Sequence, residues 1–138
     1  MAYATVADMT TAFGSDELIT VTTPAGVDRT NIDQGKVDAA CAVASDEIDS
    51  YLRRRYAVPL TTVSPKLLRT CCVLARWALW SQTNDAPSDA MRADRKDAIA
   101  WLVALNAGSV TLDGAVPVNT GNDFSRIATR RPSCGFSL

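Results

Sequence analysis

The sequence predicts an all-α fold, a small helical bundle of two short N-terminal helices and three longer helices with an extended C-terminal tail. Three observations carry that prediction. Apolar residues recur at steps of three and four along most of the first hundred or so positions, the spacing that lines up one side of a helix. Small polar residues suited to the N-cap stand before most of these stretches. After Gly108 the period stops, and Gly, Pro, Ser, Thr and Asn accumulate. The division that follows is a helical bundle domain over residues 1–108 and an extended, partner-binding tail over residues 109–138.

In the first element Thr5 is the N-cap, Val6, Met9 and Phe13 share a face, and Gly14 ends the helix. The second opens on Ser15 as N-cap, carries Asp16 and Glu17 where acids meet the positive end of the helix dipole, and buries Leu18 and Ile19. Thr22 to Asn31, TTPAGVDRTN, is turn chemistry and reads as a loop. A long helix follows from about Asp33 to Tyr56, where Val37, Cys41, Ala44, Ile48 and Tyr51 form an apolar seam that continues onto Arg55. Pro59 stops it, because the residue before a proline is pushed out of the α region and proline has no N–H to donate.

The fourth helix starts on Ser64 as N-cap with Pro65 in its first turn. Leu67, Leu68, Cys71, Cys72, Leu74, Ala75, Ala78 and Leu79 cover most of its circumference, leaving Lys66, Arg69, Thr70 and Arg76 on a polar strip flanked by Trp77 and Trp80. Such a helix has to be surrounded, by its own bundle or by a neighbouring subunit. Ser88 caps the last helix, which ends at Asn106 to Gly108 with Met91, Ala98, Ile99, Leu102 and Leu105 inward. Beyond it a short hairpin around Asp113 and Gly114 is the most that is expected. From Phe124 onward there is no acid; Phe124, Ile127, Phe136 and Leu138 are apolar anchors, and Arg126, Arg130 and Arg131 carry charge. A tail of this composition that cannot fold on itself folds onto a partner.

Composition narrows the function. The chain is 47% hydrophobic over 138 residues, enough for one compact domain. A formal net charge of -1 argues against coating DNA or an anionic membrane, so basic work has to be local. The N-terminal residues lack the basic and apolar regions of a signal peptide, and no apolar run nears the ~20 residues that span a bilayer; the expectation is a protein that is made and stays in a cytosol-like compartment, or in something assembled there, with no membrane partner.

The chain has no histidine, the commonest general base and metal ligand. Cys41, Cys71, Cys72 and Cys134 lack metal-site spacing, and the first three read as small core residues. Asp46, Glu47 and Asp49 read as a solvated acidic face. Asp28, Asn31 and Asp33 lie close together, yet without the alternation, glycine and terminal acid of a calcium loop. Phosphate loops and nucleophile elbows are absent too. The expectation is therefore no enzyme, with no catalytic, cofactor-binding or metal-binding residues.

Positive charge concentrates in EIDSYLRRRYAVPL, Glu47 to Leu60. Cations in a last helical turn meet the negative end of the macrodipole, which accounts for one or two arginines. Arg55 fits less well, because on the apolar seam it must snorkel outward or pair with a carboxylate or carbonyl. Helix-end charge, a subunit-interface salt bridge and a nucleic-acid contact all stay open.

Ala44 to Leu60, ASDEIDSYLRRRYAVPL, followed by VSPKLLRTCCVLARWAL and DRKDAIAWLVALNAGSVTL, resembles the small Mu-like bacteriophage head-tail connector proteins, which sit among the neck adaptors, over nearly the whole chain. The resemblance implies a structural virion protein at the head-tail junction. Copies would form a homo-oligomeric ring, a dodecamer, on the portal protein, offer a platform to the next neck protein (the stopper), and let DNA pass through the lumen. The subunit or portal interface is then expected at Arg53, Arg54, Arg55, Tyr56, Arg69 and Arg76 and, in the tail, at Phe124, Arg126, Ile127, Arg130, Arg131, Phe136 and Leu138. Asp46, Glu47 or Asp49 of the adjacent copy would meet the arginine run. The alternatives are another neck component, a stopper or tail terminator, or a small helical DNA-binding regulator whose binding would be strongly salt-dependent.

Overall fold

The computed structural model describes residues 2–118. Cys134 and the tail positions Phe124, Arg126, Ile127, Arg130, Arg131, Phe136 and Leu138 lie outside the described residues. Within them the chain is all-α, with two short helices, α1 (Val6–Phe13) and α2 (Ser15–Thr22), and three longer ones, α3 (Gln34–Leu52), α4 (Pro65–Ser81) and α5 (Asp89–Ala107).

The helix starts are set by local chemistry. Thr5 accepts from the Asp8 amide while the Asp8 carboxylate accepts from the Thr5 amide, a reciprocal capping box. Ser64 accepts from Leu67 N and Ser88 from Met91 N. Asp33, in the segment that superficially suggests a calcium loop, is the N-cap of α3 and accepts from Lys36 N. At α2 the cap differs from expectation. Gly14, at φ 87°, both ends α1 and precedes α2, so Ser15 is already helical and no side chain caps the helix. Only a residue at ease with positive φ lets two helices meet with no linker.

Helices α3 and α4 form the central pair; α5 packs on both, and α1 and α2 also pack on both without touching α5. The strongly apolar α4 is thus surrounded by its own bundle, with Leu67, Cys71, Cys72, Val73, Leu74, Ala75 and Leu79 buried. Cys41, Cys71 and Cys72 are buried and unpaired, as core residues. Burial in apolar surroundings pushes the Cys41 thiol up to about 12 and Cys72 to about 11, and raises Cys71 as well.

The apolar seam of α3 runs through Val37, Cys41, Ala44 and Ile48 and then departs from the expected line. Leu52, four residues beyond Ile48, takes the buried place, and Tyr51 is only half-buried. The helix ends there. Arg55 N and Tyr56 N both donate to Leu52 O at 2.9 Å, closing a turn over Arg53–Arg55. Arg55 is therefore not on the seam, because a leucine can be buried whole whereas a buried tyrosine needs a partner for its hydroxyl.

Residues 110–118 fold back on the bundle. Val110, Leu112 and Ala115 pack against the core, and a turn forms at Asp113 and Gly114. Its return arm pairs with the chain leaving α3 instead of with residues 110–112. Ala57 N donates to Val116 O at 2.9 Å and Val118 N to Arg55 O at 2.8 Å, around an antiparallel bridge between Tyr56 and Pro117. The backbone just released from α3 has free donors and acceptors there, which a lone two-stranded hairpin in water would not match.

Candidate interaction surface

One end of the bundle gathers the α3 turn, the C-terminus of α5 and residues 109–118. Arg53 and Arg54 are exposed there, with no carboxylate partner among the described residues. Beside them, on the arm bonded to Arg55 and Ala57, stand Val116, 60% exposed, and Val118. Arg55 behaves differently from its neighbours: its guanidinium lies against Gly108, the left-handed C-cap of α5. Off the seam and exposed, it has nothing to snorkel out of; its side chain reaches another helix end, where the dipole is negative.

Three other expected interface residues have internal employment. Tyr56 is buried, 6% exposed, and its hydroxyl accepts from Leu112 N at 3.1 Å; within the chain it is a core residue holding the return arm. Arg76 Nε donates to Glu17 Oε1 at 2.5 Å and Nη2 to Oε2 at 3.0 Å, and Trp80 Nε1 donates to the same Oε1 at 3.0 Å. The Arg76 guanidinium lies 4.5 Å and that of Arg69 5.3 Å from the Phe13 ring centroid. Both arginines tie the α1–α2 pair to α4. Nothing in the sequence around Glu17 reveals this, since its partners lie about sixty residues away in the chain.

The acids expected to face them are mostly engaged as well. Glu47 Oε1 sits 3.5 Å from Arg95 Nη2, and the Arg95 guanidinium stands 5.2 Å from the Trp77 ring. Asp49, expected on the solvated face, accepts the Tyr3 hydroxyl. That hydroxyl also accepts Leu60 N at 3.0 Å, and the Tyr3 amide donates to Ser45 Oγ at 2.8 Å. Burial, then the bond to Asp49, pushes the Tyr3 hydroxyl up to about 12. Tyr3 thus staples the N-terminus across α3 and the α3–α4 connection, a role with no motif to announce it. Asp46 is exposed.

At the other end of α3, a polar cleft of about 400 Å³ opens between the ends of α2 and α4, lined in part by Thr22, Arg29, Lys36, Trp80 and Asn84. Lys36 Nζ donates to Thr22 O at 2.9 Å there, closing the C-terminus of α2. Among the described residues there is no cluster of acidic and cysteine side chains able to hold a metal ion, and no helix long and apolar enough to cross a membrane.

A family model described as "Bacteriophage Mu, Gp36" matches residues 3–125. Similar proteins include the Mu-like prophage FluMu protein gp36 of Haemophilus influenzae, 42% identical over 82 residues, which are 59% of this chain and 56% of that protein. Gene product J of Escherichia phage Mu is 35% identical over 109 residues, 78% of this chain and 74% of that one. The matched part of the chain thus spans little more than half the length of the Haemophilus relative.

Proposed function

The chain belongs to the bacteriophage Mu Gp36 family, and from that membership we propose that it is a head-tail connector, a structural protein that rings the portal vertex and offers a docking platform to the neck and tail. The observation that carries the proposal is the exposed Arg53–Arg54 turn, which has no carboxylate partner among the described residues, with exposed Val116 and Val118 on the arm bonded to the next residues, Arg55 and Ala57, at the point of the bundle from which the chain continues past residue 118. A charged rim beside exposed apolar side chains is the composition of a protein-binding patch. Its local character in an acidic chain argues against general DNA coating.

No covalent chemistry is needed. One face of a copy meets a different face of the next around a closed ring. With Glu47 and Asp49 engaged inside the chain, Asp46 is the member of the acidic cluster left to receive Arg53 or Arg54 of a neighbour. Arg69, Arg76 and Tyr56 also make contacts within the body, and of the three Arg69 is exposed. The tail residues Phe124, Arg126, Ile127, Arg130, Arg131, Phe136 and Leu138 would add apolar anchors and charge on the portal, with ordering coupled to binding. The helical body favours an adaptor over a stopper or terminator.

Co-sedimentation with purified portal tests the reading. The full chain should travel with portal rings, and removal of residues 124–138 should abolish this while leaving the helical circular dichroism unchanged. A truncated chain that still travels with portal would remove the tail from the account, and a full chain that binds duplex DNA but not portal would replace the connector reading with a regulator.

A further inference from the structure

Arg55 is the member of the arginine run that docking leaves unexplained, and its surroundings give it a task. A Cβ at Gly108 would sit 1.8 Å from Arg55 Nη1, 2.7 Å from Cζ and 3.0 Å from Nη2. The guanidinium therefore lies directly against Gly108, and a side chain there would have to push it aside. Gly108 ends α5 at φ 87°, with its amide donating to Ala104 O and Leu105 O, so the cation stands at the negative end of the α5 dipole. The backbone of Arg55 is engaged at the same time. Its amide closes the turn onto Leu52 O, and its carbonyl accepts Val118 N at 2.8 Å.

One residue thus touches the end of α3, the end of α5 and the last described residue of the chain. We infer that Arg55 is a positioning residue that clamps residues 109–118 onto the bundle and so sets the point from which the chain continues past residue 118. The clamp closes a loop: α5 leads into residue 109 under the Arg55 side chain, and residue 118 returns to the Arg55 carbonyl. Other ties on this segment are few. Ser109 N reaches Ala104 O, Leu112 N reaches Tyr56 Oη, Ala57 N reaches Val116 O, and Val110, Leu112 and Ala115 are only half-buried. A segment held by so little opens locally without unfolding the bundle, so one lost contact has a visible effect. Arg53 and Arg54 have no comparable contact among the described residues and are free for partners. The consequence for portal attachment rests on the connector reading; the clamp itself does not.

Amide hydrogen exchange on the full-length chain, free in solution, separates the two. In Arg55→Ala, exchange at Ala57, Leu112 and Val118 should accelerate by roughly two- to fivefold, the effect of losing an exposed cation at a helix C-terminus, while buried α3 and α4 amides such as those of Cys41 and Leu74 keep their rates. Arg55→Lys keeps the charge but not the planar fork and should recover part of the protection. Gly108→Ala displaces the guanidinium from the other side and also strains the left-handed cap, so only the part of its effect on Val118 that disappears when Arg55 is already alanine belongs to the clamp. Unchanged exchange at Val118 in Arg55→Ala, or acceleration shared equally with Cys41 and Leu74, would overturn the clamp. Portal co-sedimentation is read separately: wild-type protein that ignores portal defeats the connector reading and leaves the exchange result to stand or fall alone.

Discussion

At the scale of single residues, Glu17 carries three partners at once: both arms of the Arg76 guanidinium and the Trp80 indole N–H. The Arg76 and Glu17 side chains are 21% and 22% exposed, so solvent weakens the pair without cancelling it. Glu17→Ala leaves a partly buried cation and an indole donor without an acceptor, at a cost of about 2 kcal/mol; urea denaturation should show it, and a loss indistinguishable from zero would contradict the assignment.

Protons give a second test. The folded chain holds those of Tyr3, Cys41 and Cys72 more tightly than their usual values of 10.0 and 9.0, at about 12, 12 and 11. For a raised value the stabilisation is complete below the usual value and is lost as pH rises through the folded one. The urea midpoint should therefore hold at neutral pH and decline above about 9, the thiols acting first. A midpoint unchanged well above that would show these groups exposed. At this scale the sequence was legible for the cysteines, whose burial follows from residue type. Tyr3, Glu17 and Arg76 were not, because each depends on a partner distant in the chain.

At the scale of elements, α5 separates inner from outer positions over a single step. Leu102 is fully buried and Val103 is 50% exposed. Leu102→Ala should cost about 3 kcal/mol, through lost apolar transfer and the cavity left behind, and Val103→Ala less than about 0.5 kcal/mol. Similar losses at both would mean that Val103 is covered, as a neighbouring copy could cover it. Helix starts were readable because Thr5, Ser64 and Ser88 cap through bonds to amides three residues on, a purely local matter. The end of α3 was not. From Ile48 the pattern offers Tyr51 at three residues and Leu52 at four, both on the inner side, and packing against the other helices decides for Leu52. That choice removes Arg55 from the seam and makes it a clamp.

At the scale of the whole molecule, a chain of net charge -1 holds Glu17, Glu47 and Asp49 in internal contacts and leaves two adjacent arginines exposed at one end. Arg53→Glu combined with Arg54→Glu should leave the thermal midpoint nearly unchanged, since exposed charges contribute little to folding, and should still prevent portal co-sedimentation. A folded double variant that binds portal normally would remove the arginine turn from the interface. The general shape of this molecule could be read from periodicity and caps. The return of residues 110–118 could not, because it relies on backbone groups freed where α3 ends and on Tyr56, more than fifty residues earlier.

The central claim is that this arginine end is the docking end, and cryo-electron microscopy of the neck in an assembled particle tests it most directly. A ring of this chain should lie between portal and tail, with Arg53, Arg54 and Val116 against the portal or the adjacent copy and the Arg29–Lys36 cleft turned away from both. A neck without such a ring, or one that holds the cleft against the portal and leaves the arginine end in solvent, would contradict it.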